Sequence, residues 1–460
     1  MDRLSPLDAA FLEAEDEDRH TSMAIGSIAV FGGPPPTYEE LVGAIGDRLA
    51  QVPRYRQKIR TVPWRVGPPV WVDDPAFDIR FHIRETALPE PGGDAELARL
   101  MSRVMGQRLD RDRPLWEDWM VTGLAGDHWA LISKVHHCMV DGISGTDLYR
   151  VMFDSTAPAA GPAVSTAPAP GSLRLVARSI GQDLALPARA ALEIMGLASQ
   201  PGRAWRQLTG TARAAWAARS ALPPARRSSL SGWGGQQRHY TWVRVPLADV
   251  KAVKNELGGT VNDVVLAAIT AGFRAVLLSR GETPRAHMVP SLVPVSLRPP
   301  GGENVYDNEV SAMIVDLPVH VADPVDQLAA VSHGLRALKA RDEALLGETL
   351  QGLGRLVPYG AWAAFVRFGF RLPQRAIVTV TTNVPGPRTP LYCLERPLLE
   401  IFPYVPIAST VRVGVAIFSY RDQITFGLTG DWDTTSDLDV LAGAISDGLA
   451  DLVKASAAGA

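Results

Sequence analysis

The chain is short of cysteine: Cys138 and Cys393 are the only two in 460 residues. Two thiols cannot build a disulfide framework, and neither belongs to a CxxC pair or to a His/Cys cluster with zinc-site spacing. A reducing, cytoplasmic setting is the default expectation. Excess charge is also missing, because 46 Lys and Arg stand against 49 Asp and Glu, for a net charge of −3. That balance gives no global case for nucleic-acid binding. A basic start of the signal-peptide kind is absent, since the opening residues carry Asp2, Asp8, Glu13, Glu15, Asp16, Glu17 and Asp18. No uninterrupted apolar stretch is long enough to span a bilayer, and no repeat of fixed short period emerges. The expectation is a soluble or peripheral protein.

What is present describes an ordinary globular protein, 46% apolar and 21% charged. Its length exceeds what one hydrophobic core supports, so two or more domains are expected. Met23–Phe31 reads as a strand, Tyr38–Gln51 as an amphipathic helix, and Ala95–Arg108 as a helix on periodic Leu97, Leu100, Met101, Val104 and Met105. Trp119–Leu124 and Trp129–Val135 read as strands joined by the Ala125-Gly126-Asp127 turn. Ser155–Ser172 is rich in Pro, Ala and Ser and reads as a flexible linker. Leu173–Arg227 carries nine arginines against Asp183 and Glu193 and is cut by Pro187, Pro201 and Pro223. Further on, Val289–Leu297, Glu309–Leu317, Ala376–Thr382, Thr410–Tyr420 and Gln423–Gly430 are strand-like, and Val264–Ser279 and Leu438–Val453 helical. The plan is a mixed α/β fold in two halves: residues 1–155, a linker at 156–172, an arginine-rich connector at 173–238, and a second half at 239–460.

The chemistry concentrates in His136-His137-Cys138-Met139-Val140-Asp141-Gly142, which follows the apolar strand Trp129–Val135 and precedes a helix-like segment, Ile143–Phe153. A histidine at such a junction can be held rigidly while its ring faces a cavity, and imidazole takes a proton near neutral pH. Adjacent side chains on a strand-to-loop path diverge, so one histidine is expected to act and the other to brace the loop. The bland alternative is a pair of buried, hydrogen-bonded histidines without chemistry. Metal binding fits less well, because HHxxxD offers at most three ligands.

Other segments weigh more evenly. Pro114-Leu115-Trp116 presents a rigid apolar surface that suits core packing as well as a binding site. Asn262 and Asp263, just before the helix at 264–279, are ordinary helix caps. Val293-Pro294-Val295-Ser296-Leu297-Arg298 ends a strand with an arginine, and Thr382-Asn383-Val384-Pro385-Gly386-Pro387 makes a stiff turn. Leu353–Phe370 is rich in aromatics, with Arg355 and Arg367 among them.

Together HHxxxDG, PLW, the Asn-Asp pair, PVSLR, TNVPGP and the opening Leu4-Ser5-Pro6-Leu7-Asp8-Ala9-Ala10-Phe11-Leu12 resemble the bacterial wax ester synthase/diacylglycerol acyltransferase family, in its actinobacterial triacylglycerol synthase branch. The resemblance covers almost the whole chain. It implies two subdomains of the CoA-dependent acyltransferase kind, each a mixed sheet with helices, flanking a central tunnel that acyl-CoA and a lipid alcohol enter from opposite sides. By motif position it implies His137 as general base, with no acyl-enzyme. His136, Asp141 and Gly142 complete the loop, and Asp141 is structural, with Arg298 as its expected partner. Pro114, Leu115, Trp116, Asn262, Asp263 and Asn383 are the expected substrate-side residues, Asn383 or a backbone amide of the histidine loop meeting the oxyanion. Acyl-CoA is a substrate, and no cofactor or metal is expected. The arginine-rich and aromatic segments suit contact with a membrane or lipid droplet. A wax ester synthase, a condensation-type domain and a non-catalytic lipid-binding protein are the competing readings; the chain has no room for the neighbours of a condensation domain.

Overall fold

The computed structural model describes residues 2–49, 51–139, 225–296, 310–340, 358–371 and 374–458, with Phe153, Gly171 and Val176. The linker, most of the arginine-rich connector, and the expected helix at 143–153 apart from Phe153 lie outside those residues.

The first half runs α1 (Pro6–Glu17), β1 (Ala24–Gly32), α2 (Tyr38–Leu49), β2 (Gln57–Arg60), β3 (Val70–Asp73), the single turn α3 (Ile79–His82), β4 (Ile83–Ala87), α4 (Asp94–Gly106), β5 (Trp116–Leu124) and β6 (His128–His136). The second runs β7 (Arg238–Pro246), α5 (Leu247–Leu257), α6 (Val261–Ser279), β8 (Pro290–Ser296), β9 (Val310–Asp316), α7 (Pro324–Ala340), α8 (Tyr359–Arg371), β10 (Thr379–Pro385), β11 (Tyr392–Cys393), β12 (Arg396–Tyr404), β13 (Val413–Tyr420), β14 (Gln423–Asp431) and α9 (Leu438–Ala458). The expected strands and helices within the described residues recur, with ends shifted by a few residues.

The described strands form two six-stranded mixed sheets, in orders β11-β12-β1-β6-β5-β4 and β7-β14-β13-β10-β8-β9. In the first, only the β4–β5 pair is parallel; in the second, β10 runs parallel to both β13 and β8. The first sheet is not made by the first half alone. The chain returns from the second half to lay β12 antiparallel against β1, with Ile28 opposite Phe402. Consequently the first core includes Leu398, Ile401, Phe402 and Tyr404 beside Ile28, Phe31, Trp129 and Leu131.

Close approach between β12 and the second sheet explains one glycine. A side chain at Gly427 would place its Cβ 1.7 Å from the Pro403 carbonyl oxygen, so only glycine fits there. Beside it the Tyr240 hydroxyl donates to the same carbonyl at 2.8 Å, and Trp242 stacks on Phe402 at 4.3 Å. These contacts bind the halves along one seam.

Helix starts follow their caps. Ser5 accepts from the Asp8 N–H at 3.1 Å, with Pro6 opening α1, and Thr260 and Asp263 form a reciprocal box at the start of α6. Although no uninterrupted apolar run spans it, one described helix, α6, is long and apolar enough on average to cross a bilayer, with hydropathy 1.7. It packs instead inside the second half, 67% buried, with Val264 to Ile269 and Phe273 in the core against α9. The sequence disguised its apolar length because Arg274 interrupts the run; that arginine reaches out to the Val319 carbonyl at 2.8 Å.

Candidate active site

Strand β6 is the centre of the first sheet, hydrogen-bonded to β1 and β5, and its last residue, His136, pairs with Ala24 at the start of β1. The chain then turns through a single 3-10 turn, His137–Met139. This places the two histidines at the end of a strand paired on both sides. The backbone is pinned on both sides: the His136 N–H donates to Leu115 O at 2.9 Å and the His137 N–H to Met23 O at 3.0 Å.

The His136 ring is 1% exposed and engaged at both nitrogens. The Cys138 backbone N–H donates to Nδ1 at 3.2 Å, so Nδ1 carries a lone pair and the proton sits on Nε2, 3.1 Å from Glu15 Oε2. Burial lowers the His136 pKa, keeping the ring neutral. Burial pushes the Glu15 carboxyl up. The His136 hydrogen bond and the Arg111 and Arg108 guanidinium groups outweigh burial and hold it at about 2. Arg111 is bonded directly to Glu15 Oε2, while Arg108 bonds the Glu15 and Asp18 carbonyls and donates to Thr21 O at 2.9 Å. Cys138 is buried, and burial raises its thiol well above the ordinary range, so it stays protonated beside Nδ1 at 3.0 Å.

The half-buried His137 ring stacks on Phe11 of α1 at 4.0 Å. The same Glu15 reaches this residue indirectly, since its Oε1 accepts from the Met23 N–H at 3.4 Å and the Met23 carbonyl takes the His137 N–H. One carboxylate of α1 therefore steadies both histidines.

The structure treats the other expected residues differently. Asn262, on the first turn of α6, and Asn383, on β10, meet: Asn383 Nδ2 donates to Asn262 Oδ1 at 3.2 Å. Both side chains are half-buried. Past Asn383, a Cβ at Gly386 would fall 2.0 Å from the Ser419 carbonyl oxygen, so the TNVPGP turn needs glycine to lie against β13. Asp263 is a cap, accepting from the Thr260 N–H at 2.9 Å and the Ser332 hydroxyl at 3.0 Å. Pro114, Leu115 and Trp116 are core residues, a correction to their expected substrate contact. Leu115 and Trp116 are 0% and 1% exposed. The Trp116 indole donates to Tyr55 O at 2.8 Å and stacks on His82 at 4.5 Å. Their service to the site is the Leu115 carbonyl under His136. Asp141, Gly142 and Arg298 lie outside the described residues.

Glu15 is the residue that sequence reasoning missed. It is one of seven acids in the N-terminal stretch, and its one signal is its place four residues after Phe11 on the same helical face, too short a pattern to single it out. Glu13 is similar, accepting from the Tyr359 hydroxyl at 2.9 Å and from Arg65 and Arg367. Among the described residues, no group of three or more His, Cys, Asp or Glu is arranged to hold a metal ion.

Comparison with known proteins agrees with the geometry. Residues 4–265 match the model of the wax ester synthase/diacylglycerol acyltransferase catalytic domain, and residues 306–453 that of the WS/DGAT C-terminal domain. A Mycobacterium tuberculosis H37Rv protein described as a probable diacylglycerol O-acyltransferase, tgs1, is 40% identical over 99% of this chain and 96% of its own length. The solved wax ester synthase/diacylglycerol acyltransferase from Marinobacter aquaeolei VT8 superposes with a TM-score of 0.68 at 26% identity, covering 99% of this chain and 100% of that one. The first condensation domain of the calcium-dependent antibiotic synthetase shares the fold at 16% identity and a TM-score of 0.62, over 99% of this chain and 96% of that one.

Proposed function

The chain belongs to the wax ester synthase/diacylglycerol acyltransferase family, and from that premise we propose that it transfers the acyl group of acyl-CoA to the free hydroxyl of diacylglycerol, with His137 as general base. The observation that carries the assignment of the base is the division of labour between the two rings. His136 is fully buried and uses both nitrogens to hold the loop, whereas the half-buried His137 ring stacks on Phe11.

Nε2 or Nδ1 of His137 takes the hydroxyl proton as the acceptor oxygen attacks the thioester carbonyl. The tetrahedral intermediate collapses, the C–S bond breaks, and the imidazolium returns its proton to the departing CoA thiolate. The balance closes as acyl-CoA plus alcohol giving ester plus CoA, and no acyl-enzyme or cofactor is needed. Asn383 supports the oxyanion reading: Asn262 orients its amide through one N–H and leaves the second to face developing charge. Asp141 and Arg298 are proposed to pair structurally, and exchanging the two charges should restore folding that either single reversal loses.

The 40% identity to a relative described as a diacylglycerol acyltransferase supports diacylglycerol as acceptor. The Marinobacter protein carries both activities in its description, which favours a long-chain alcohol as the second acceptor. Work on lipid substrates also supports a cytoplasmic protein peripheral to a membrane or droplet. Purified protein with labelled acyl-CoA should release CoA with diacylglycerol and, more slowly, with hexadecanol. His137→Ala should lose about 10²- to 10⁴-fold in turnover; equal turnover in the two proteins would reject the base.

A further inference from the structure

Helix α8 reverses the usual rule for a surface helix. Its inner face, Tyr359, Trp362, Ala363 and Val366, is buried, and it packs on α1. Its outer face presents Ala361, Ala364, Phe365, Phe368 and Gly369, all exposed, with the exposed Arg371 at the last turn. Phe365 and Phe368 are 61% and 60% exposed. Two large exposed phenylalanines on the outer side of a helix whose inner side is already buried mark a surface that another body covers.

Trp64 adds a second, independent observation at the same place. It is 82% exposed and held in the left-handed region at φ 54°, followed by Arg65, also at φ 54°. Both are sparsely populated conformations for non-glycine residues, and they keep a large indole in water. The Arg65 carbonyl lies 3.4 Å from where a Cβ on Gly360 would sit, so Trp64 stands beside the first turn of α8.

We propose that Trp64 and the outer face of α8 form a docking surface for a phospholipid bilayer, seated by aromatic insertion and not by charge; the proposal rests on the lipid-acyltransferase reading. Charge decides the kind of partner. The arginines at this surface are already committed to carboxylates of α1: Arg65 to Glu13 and Asp16, Arg367 to Glu13, and Arg371 to Glu17. Among the described residues the arginines of the patch are thus balanced by carboxylates, which gives no charge to favour an acidic peptide or a strongly anionic surface, while tryptophan and phenylalanine suit the headgroup boundary of a neutral bilayer. Position supplies the use. α8 packs on α1, and α1 carries both Phe11 against His137 and Glu15 under His136. A bilayer seated on α8 lies one helix layer from the proposed base, where a membrane-borne alcohol has to arrive.

The test is flotation with phosphatidylcholine vesicles, beside CoA release from acyl-CoA with diacylglycerol held in those vesicles or in detergent micelles. The wild-type chain should float with the zwitterionic vesicles and stay bound at about 1 M salt, where the screening length is about 3 Å. Trp64→Ser/Phe365→Ser/Phe368→Ser should lose about tenfold or more in vesicle binding and in turnover on vesicles, while micellar turnover stays near wild type. Phe368→Ser alone, with an unchanged thermal transition, should lose several-fold and guards against misfolding of the triple variant. Flotation of the triple variant like wild type overturns the surface. So does binding that needs phosphatidylglycerol and is released by salt, or a loss of self-association in the triple variant with flotation unchanged. Wild type that floats yet releases no CoA in either format keeps the surface and overturns the acyltransfer reading.

Discussion

The two halves hold their candidate residues with opposite materials. At the end of β6 the first half invests ions: the buried Glu15 and the half-buried Arg111 and Arg108 gather around a neutral His136. At the end of β10 the second half uses one neutral amide pair, Asn383 on Asn262, on a strand hydrogen-bonded to β13 along its length. The difference follows from what each end must fix. An imidazole has two tautomers and a free rotation, and selecting one needs a permanent acceptor on one nitrogen and a donor on the other. An amide on a strand already has its direction set by the backbone, so a single neutral hydrogen bond suffices. Rigid ionic scaffolding belongs to the histidine end.

Removing the scaffold should therefore be the most damaging change. Glu15→Ala leaves the His136 N–H buried without its acceptor and takes from the half-buried Arg111 one of its two carboxylates, at a cost of about 1–3 kcal/mol in urea denaturation. Glu15→Gln keeps an acceptor for His136 and should recover part of that stability. The sign of the pH dependence also follows. Because the folded carboxyl sits at about 2, below its ordinary 4.5, the native state resists protonation. Stability from Glu15 is present above about pH 4.5 and is lost as pH falls towards 2, by up to about 3 kcal/mol. Wild type should lose more stability over that window than Glu15→Gln; parallel curves would show that the carboxylate is not the group that matters.

The amide end should fail in rate before it fails in stability. Asn383→Ala is expected to lower kcat by about 10²- to 10³-fold if its second N–H meets the oxyanion, with a stability cost of only about 1 kcal/mol. A fall in Tm without a fall in kcat would return Asn383 to a purely structural role.

How much of this was legible beforehand depended on whether the information is local. The histidine loop was, since a strand, two histidines and an aspartate stand within a few residues. The two-half plan was as well, because strands and helices announce their own periods. The brace of the loop was not: 121 residues separate Glu15 from His136, and nothing in an acidic N-terminus says which carboxylate turns inward. The strand β12 was hidden for another reason. Pro397 and Pro403 interrupt Arg396–Tyr404 and read as breaks, yet Pro403 turns its carbonyl to the Tyr240 hydroxyl. Trp116 was ambiguous in principle, as a buried indole and a substrate-lining indole have the same sequence.

Trp116→Phe separates those two meanings and tests whether the histidine end depends on its core. The substitution removes the donor to the Tyr55 carbonyl and part of the stack on His82. It should cost about 1–3 kcal/mol while KM for acyl-CoA and for diacylglycerol stays within about twofold for the folded protein. A raised KM with unchanged stability would restore Trp116 to the substrate side.

Asn262→Ala is the smallest and the sharpest of these comparisons. Asn262 accepts from Asn383 and sits on the first turn of α6, whose start is already capped by Thr260 and Asp263. Removing its side chain leaves the cap intact, so the helix should lose no more than about 1 kcal/mol. Asn383 loses its orientation but keeps both donors, so kcat should fall by a smaller factor than in Asn383→Ala, about tenfold, with KM nearly constant. The double variant then distinguishes the mechanisms: if Asn262 acts only through Asn383, adding Asn262→Ala to Asn383→Ala changes kcat no further. A multiplicative loss would mean that Asn262 meets the substrate by itself, and that the second half contributes two independent groups where its geometry suggests one.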